Sequence, residues 1–398
     1  MASKRLHVRL RPTAESLVRG GHPWVYSDSI REQNREATTG ELAVVFDRND
    51  NFLAIGFYDA DSPIRIRIIH RGKPADINGD FWRARLREAV QRRTGILTAD
   101  TNGLRWINGE SDFFPGLVLD QYADTLVLKL YSAVWFRRIE EILAVIREEL
   151  RPTGLVLRLS RNIQSGARAF SLEDASTLIG EGPSGPVIFL ESNLKFEADV
   201  LKGQKTGFFL DQRENRRRVG ELSRGKEVLN AFSFSGGFSV HAARGGARSV
   251  TDVDISAHAL ESSVRNFALN RDSTSQAKHQ RIQADVFDWI RTARAESYDM
   301  VILDPPSLAK RESERTGAIT AYANLATAGL RLVRPGGILL CCSCSAHVTG
   351  EEFFAAVGNS LKRGGRPFRV LETRREPADH HATFPEAEYL KALYAQIE

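Results

Sequence analysis

From residue 187 onward the chain alternates between short apolar runs of strand length and stretches of helical composition. KEVLNAF precedes GFSVHAARGG, SVTDVD precedes SAHALESSVRNFALN, and RIQADVFDWI and YDMVILDPP precede AYANLATAGLRLV and GGILLCCSCS. Such alternation is the pattern of βαβ units, in which crossover helices cover both faces of a parallel sheet. The C-terminal half is therefore expected to be α/β, with a doubly wound, Rossmann-like, mostly parallel sheet. Ligands of such sheets bind beyond the carboxyl ends of the strands, so the residues that follow each run carry the functional information.

The first part of the chain has another rhythm. LAVVFD and FLAIGFYD flank RNDN, a hairpin pattern, and PIRIRIIHRG alternates apolar residues with arginine. With the turn-rich GGHPWVYSDSI ahead of them, these runs predict a small β-barrel bearing one arginine-lined strand. DFWRARLREAVQRR predicts an amphipathic helix with Phe81, Leu86 and Val90 near one face. Two strands in LRWINGESDFFPGLVLDQYADTLVLKLYS, a helix over 134–150 and a strand at GLVLRLSRN follow. GEGPSGP at 180–186 is a natural boundary. The expected organisation is a β domain over 1–75, a small α+β domain over 76–185 and the α/β domain over 186–398.

No run of about 18 apolar residues predicts a membrane span, and MASKRLHVRLRP has charge without a following apolar core, unlike a secretory signal. The three cysteines, Cys341, Cys342 and Cys344, are crowded into four positions. They make no disulfide framework, which points to a reducing, cytoplasmic setting. They also lack the second spaced pair that a zinc site needs, so no metal is expected.

After the first buried strand, NAFSFSGGFS supplies Asn230, Phe232, Ser235 and Gly236, a glycine turn that lets backbone approach a ligand. It lacks the full G-x-G-x-x-G pattern of a pyrophosphate site. After the second strand, Asp254 and Ile255 follow in DVDIS, 18 residues beyond Gly236. Asp254 is placed to accept hydrogen bonds from both ribose hydroxyls of a nucleoside, and Ser256 can cap the following helix in its stead. After the third, ADVFDW offers Asp285 and Val286, with Asp285 within reach of an adenine amino group. After the fourth, Asp304 precedes two prolines that make a rigid turn. Each aspartate alone can be a cap or turn residue. Three in register repel a pyrophosphate and suit a neutral or cationic nucleoside, and S-adenosyl-L-methionine fits.

Side chains alternate along GGILLCCSCS, so Cys342 and Cys344 share one face and Cys341 takes the other. Cys341 and Cys342 lie inside the strand, where cysteine serves as a small apolar residue. Cys344 falls at the strand end near the Asp304 loop. A thiolate there can add to carbon 6 of a pyrimidine, making carbon 5 nucleophilic enough to accept a methyl group. Asp304 is then placed to hydrogen-bond the base edge.

KTGFFLDQRENR, NAFSFSGGFSVHAA, VDISAHALESSVRNFALN, DPPSLAK and CSCSAHVTGEEF resemble the large-subunit (23S) ribosomal RNA cytosine-C5 methyltransferases. GHPWVYSDSI resembles that family's PUA segment, WINGESDFFPGLVLDQYAD its middle domain and FPEAEYLKALY its ending. The resemblance implies an N-terminal PUA β-barrel, a small α+β middle domain and a C-terminal class I methyltransferase domain. It also implies Cys344 as the nucleophile and places Phe232, Gly236, Asp254, Asp285 and Asp304, with Gln212, at the cofactor site. The chain departs from the pattern at Phe232, where the loop's first glycine is expected, and at Ser307, where some relatives carry lysine.

The chain has a formal net charge of +5, and residues 1–100 hold 17 Lys+Arg against 13 Asp+Glu, a surplus of 4. Many are arginines: Arg65, Arg67, Arg71, Arg83, Arg85, Arg87, Arg92 and Arg93. Charge alone fits a solvated face as well as a polyanion site. The PUA resemblance favours structured ribosomal RNA as the partner, and a homodimer is compatible with it. Two alternatives remain open at this point. One is an exocyclic-amino methyltransferase of the D-P-P-Y type. The other is a catalytically inactive RNA-binding factor.

Overall fold

The computed structural model describes residues 5–398. They form two compact units. One comprises the chain up to Phe189 with Ala198–Phe208 and Ala378–Phe384; the other comprises Leu190–Glu197, Phe209–Pro377 and Pro385–Glu398.

In the first unit, six strands between Leu6–Leu10 and Ile64–Arg71 form one sheet. Leu42–Phe46 and Phe52–Tyr58 make the expected antiparallel hairpin, closed by the Asp47 carboxylate, which accepts from the N–H groups of Asn49 (2.9 Å) and Asn51 (2.8 Å). A second sheet of five strands spans Gly103–Asn108 to Thr177–Ile179. The helix Gly79–Arg92 buries Trp82, Leu86 and Ala89, not Phe81 and Val90, which stay at the margin. The indole decides this. Trp82 packs against Trp135 and Phe114, with ring centroids 5.1 and 5.4 Å away, and such a ring buries more area than either alternative. The helix expected over 134–150 starts as a 3-10 turn, Ala133–Arg138, and becomes α-helical over Ile139–Leu150.

The second unit carries the α/β sheet. Its strands are β1 (Glu227–Ala231), β2 (Ser249–Asp254), β3 (Lys278–Gln283), β4 (Tyr298–Leu303), β5 (Val333–Ser343), β6 (Phe368–Arg374) and β7 (Lys391–Ile397). Their order is β3-β2-β1-β4-β5-β7-β6. The first five are parallel, and β7 pairs antiparallel with both β5 and β6. The helices named below are α1 (Arg213–Leu222), α2 (Gly237–Arg244), α3 (Ala257–Leu269), α4 (Val286–Thr292), α5 (Arg315–Leu332) and α6 (Gly350–Arg363). Met300 to Leu303 in β4 are at most 1% exposed, because helices cover both faces. Successive strand residues divide between two cores. Cys341 joins the one lined by α4, α5 and α6, and Cys342 joins the one lined by α2. The order reverses beside β1 and β4, which sets the carboxyl ends of both strands at the point where doubly wound sheets bind ligands.

Candidate active site

The turn after β1 is under local strain. Phe232 (φ 63°) and Phe234 (φ 47°) occupy the left-handed region that favours glycine. Phe232 stands where a glycine is expected, and the backbone there adopts the conformation glycine favours with a benzyl side chain attached. Phe232 makes an edge contact with Phe287 at 5.3 Å between centroids, and Phe234 makes one with Phe209 at 5.1 Å. These contacts offset a strain of about 1 kcal/mol per residue. Gly236 (φ 74°) is the N-cap of α2, and a Cβ there would clash with the Ser263 hydroxyl. Its need for glycine thus arises from the left-handed φ and from close packing on α3 together.

Asp254 ends β2 and ties this turn down. Its carboxylate accepts from the N–H of Phe234 (2.9 Å) and from that of Ser256 (2.9 Å). Ser256 caps α3, as expected, by accepting from the N–H of Ala259. Ile255 beside it is 66% exposed, an apolar side chain presented at a strand end. Asp285 is exposed and caps α4 by accepting from the N–H of Phe287 (2.8 Å), while Val286 is buried beneath it. Asn230 and Ser235 are buried. The Asn230 amide donates to Ser239 (2.9 Å) and Asp252 (3.2 Å), and the Ser235 carbonyl accepts from Asn266 (2.9 Å). Asn230 Oδ1 and Ser233 Oγ are buried without a hydrogen-bond partner. A strained turn, an exposed apolar side chain, two half-committed carboxylates and two idle acceptors together suit the nucleoside part of S-adenosyl-L-methionine.

Across the switch point the environment changes. Asp304 accepts from the Gln212 amide (2.9 Å), and Gln212 in turn accepts from Asn215 (2.6 Å). Burial, with the nearby Asp211 carboxylate second, pushes the Asp304 carboxyl up to about 7. Asp211 accepts from the Tyr389 hydroxyl (2.8 Å), and its second oxygen is buried and unpartnered.

Cys344 lies one residue past the end of β5, and its Sγ is 3.8 Å from the carbonyl oxygen of Pro305 in the Asp304 loop. Burial pushes the Cys341 thiol up to about 12 and the Cys342 thiol well above its ordinary value, so neither supplies a thiolate at neutral pH. Cys344 is half-buried. The hydroxyl of Ser345 accepts from the N–H groups of Leu308 (3.0 Å) and Ala309 (3.2 Å) and bonds the hydroxyls of Tyr322 (2.8 Å) and Ser307 (3.2 Å). This knot fastens the Asp-Pro-Pro loop to the residue after the cysteine. Sequence reasoning noticed Ser345 only as part of a motif and missed Tyr322 and Asp211, which reach the site by folding alone. Among the described residues no cluster of three His, Cys, Asp or Glu side chains is spaced to hold a metal ion.

The chain matches the S-adenosylmethionine-dependent methyltransferase family over residues 167–395 and a PUA-like domain over residues 8–71. It belongs to that methyltransferase family. Its cofactor is S-adenosyl-L-methionine. A relative from Deinococcus radiodurans, named ribosomal RNA large subunit methyltransferase, is 55% identical over 100% of this chain and 98% of its own. Another from Shewanella denitrificans, named ribosomal RNA large subunit methyltransferase I, is 33% identical over 98% of this chain and 99% of its own. A solved methyltransferase complexed with SAH superposes with a TM-score of 0.84 at 24% identity, covering 99% of this chain and 100% of that one. At that identity the likeness establishes the fold, a PUA-like domain followed by a Rossmann-like methyltransferase domain.

The arginines of the first unit are less available than their number suggests. Arg65 donates to the carbonyl of Asp59 (2.8 Å), and Arg71 to that of Gly21 (2.5 Å). Arg67 pairs with Glu110 (3.0 Å), Arg83 with Glu148 (2.7 Å), Arg85 with Glu88 (2.9 Å) and Arg87 with Glu149 (2.8 Å). Arg92 and Arg93 both hold the buried Asp112, each at 2.6 Å. An open groove of the same unit is lined by Arg5, Arg35, Arg137 and Arg138, of which Arg35 pairs with Glu41 (2.6 Å) and Arg138 with Glu141 (2.9 Å). Two of these lie beyond the first 100 residues, outside the segment that the charge count singled out.

Proposed function

We propose that the protein methylates carbon 5 of a cytosine in large-subunit (23S) ribosomal RNA, through a covalent adduct between Cys344 and carbon 6 of the base. The observation that carries this reading is the contact between Cys344 and the Asp304 loop. It sets a half-buried thiol and a carboxyl with a pKa of about 7 at adjacent strand ends. The names of the full-length relatives support the ribosomal RNA. Residues 1–75 are the RNA-binding domain in this reading, 76–185 the middle domain and 186–398 the methyltransferase domain. Arg5 and Arg137 of the groove are the first candidates for phosphate contacts, since Arg35 and Arg138 are held by Glu41 and Glu141.

The bound cofactor supplies an electrophilic methyl group. Gln212, Asn230, Phe232, Ser235, Gly236, Asp254, Ile255, Asp285, Val286 and Asp304 are the residues assigned to hold it. The Cys344 thiolate forms a bond to carbon 6, and the displaced electron pair makes carbon 5 nucleophilic. Ring nitrogen 3 becomes more basic at the same time. Asp304, part-protonated at neutral pH, donates its proton there and recovers it later. Once carbon 5 carries the methyl group its own proton passes to solvent water, and the electron pair it leaves breaks the carbon–sulfur bond to return the thiolate. The aromatic that a D-P-P-Y loop stacks on its target is replaced by Ser307, whose hydroxyl is engaged with Ala309 and Ser345.

RNA containing 5-fluorocytosine tests this, because fluorine cannot leave as a proton does and the adduct persists. The expected result is a protein–RNA band, stable in denaturing gels, that needs both cofactor and Cys344. Its absence, or its survival in Cys344→Ala, would overturn the reading.

A further inference from the structure

Lys391 is a charge that the scheme above leaves unused. It opens β7 directly opposite Ser343 in the antiparallel register with β5, and its side chain is fully buried. A buried ammonium is costly unless a charge or hydrogen bonds compensate it. Among the described residues no carboxylate stands within ion-pair distance of Lys391. Its Nζ donates instead to the carbonyls of Ser345 (2.9 Å) and Tyr389 (3.1 Å). Ser345 is the residue after Cys344 and the centre of the knot that fastens the Asp304 loop. An apolar side chain would fill the same volume without the desolvation cost, so the retained charge calls for a partner.

The groups facing the ammonium are Glu376, Arg375 and Glu388 from the segment before β7, and Cys344 from the end of β5. Cys344 also lies near Tyr322 on α5 and Cys342 on its own strand, and its Sγ touches the loop that carries the Asp304 carboxyl. Of Tyr322, Cys342 and Lys391, Lys391 alone carries positive charge. Burial lowers its pKa to about 8, which leaves it largely protonated at neutral pH. We propose that Lys391 is a positioning residue for methyl transfer: its ammonium fixes the turn that aims Cys344 and stabilises the Cys344 thiolate. The inference rests on Cys344 being the nucleophile.

The test is the pH dependence of iodoacetamide alkylation at Cys344 in the full-length protein, with Cys344→Ser as the background. The buried Cys341 and Cys342 stay silent. The wild-type thiol is expected to be half-ionised about one unit below the usual ~8.5. Lys391→Met removes charge and hydrogen bonds, and Lys391→Gln removes the charge while keeping a donor. Both should shift the profile up by about one unit and cut alkylation and kcat at pH 7 about tenfold. Activity should recover as pH rises, with cofactor affinity unchanged, and Lys391→Arg should restore the profile. A wild-type profile centred at or above ~8.5 overturns the proposal, whatever the variants do. So does a Lys391→Gln profile that superimposes on wild type. Methyl transfer that survives in Cys344→Ser sinks the nucleophile and this proposal together. Its loss there, with an unchanged Lys391→Gln profile, sinks this proposal alone.

Discussion

Asp254 and Asp285 differ from Asp304 although all three follow parallel strands of one sheet. The first two accept hydrogen bonds from backbone N–H groups, Asp285 from its own turn and Asp254 from its own turn and the turn after β1. Asp304 takes its hydrogen bond from a side chain 92 residues away and sits against a second carboxylate. One residue type at equivalent positions thus yields two hydrogen-bond acceptors of backbone N–H groups and one carboxyl pushed up to about 7. Topology chose the positions, and the neighbours chose the chemistry.

Substitutions on the two sides should therefore fail in different ways. The largest effect is expected at Cys344. Cys344→Ser should lower single-turnover methyl transfer by on the order of 10⁴-fold, with cofactor affinity by calorimetry unchanged. A variant that loses cofactor as well would erase the distinction.

Asp304→Asn comes next, with a rate loss of roughly 10²-fold or more. It also has a stability signature. The folded pKa of about 7 lies above the unfolded value. The stabilisation is therefore full below about pH 4 and is lost as pH rises through 7. Wild-type unfolding free energy should fall across that window, and the Asn variant should lack this component. At pH 8 the variant should be more stable by on the order of 1–3 kcal/mol. Parallel denaturation profiles would show that Asp304 is not held protonated by burial.

Asp254→Ala should weaken cofactor binding about 10- to 100-fold and leave kcat at saturating cofactor within about twofold. The smallest effect lies at Phe232. Phe232→Ala keeps the strained φ and loses the Phe287 contact, whereas Phe232→Gly loses the contact and relieves the strain. Glycine should be the more stable by about 1 kcal/mol in thermal melts. The opposite order would mean that φ at this position is not strained.

Strand ends were legible in the sequence because alternation and glycine turns are local signals. The strand at Cys341 and Cys342, the two-faced burial of β4 and the Ser256 cap all follow from spacing within a dozen residues. What was not legible depends on distant pairing. Ser345 meets Leu308 across 37 positions and Lys391 across 46, and nothing near either residue announces the contact. The arginines show the same limit. A count sees eight positive charges, while the fold spends them on Glu88, Glu110, Glu148, Glu149, Asp112 and carbonyls. Trp82 displaced Phe81 from the core because the aromatic partners that favour it come from elsewhere in the chain.

The most direct test of the central claim is the identity of the product. Wild type and Cys344→Ser would be incubated with labelled S-adenosyl-L-methionine and undermethylated 23S ribosomal RNA, and the nucleosides separated after digestion. The account predicts labelled 5-methylcytidine from wild type and none from the variant. A label on an exocyclic amino group, or an active Cys344→Ser, would contradict it.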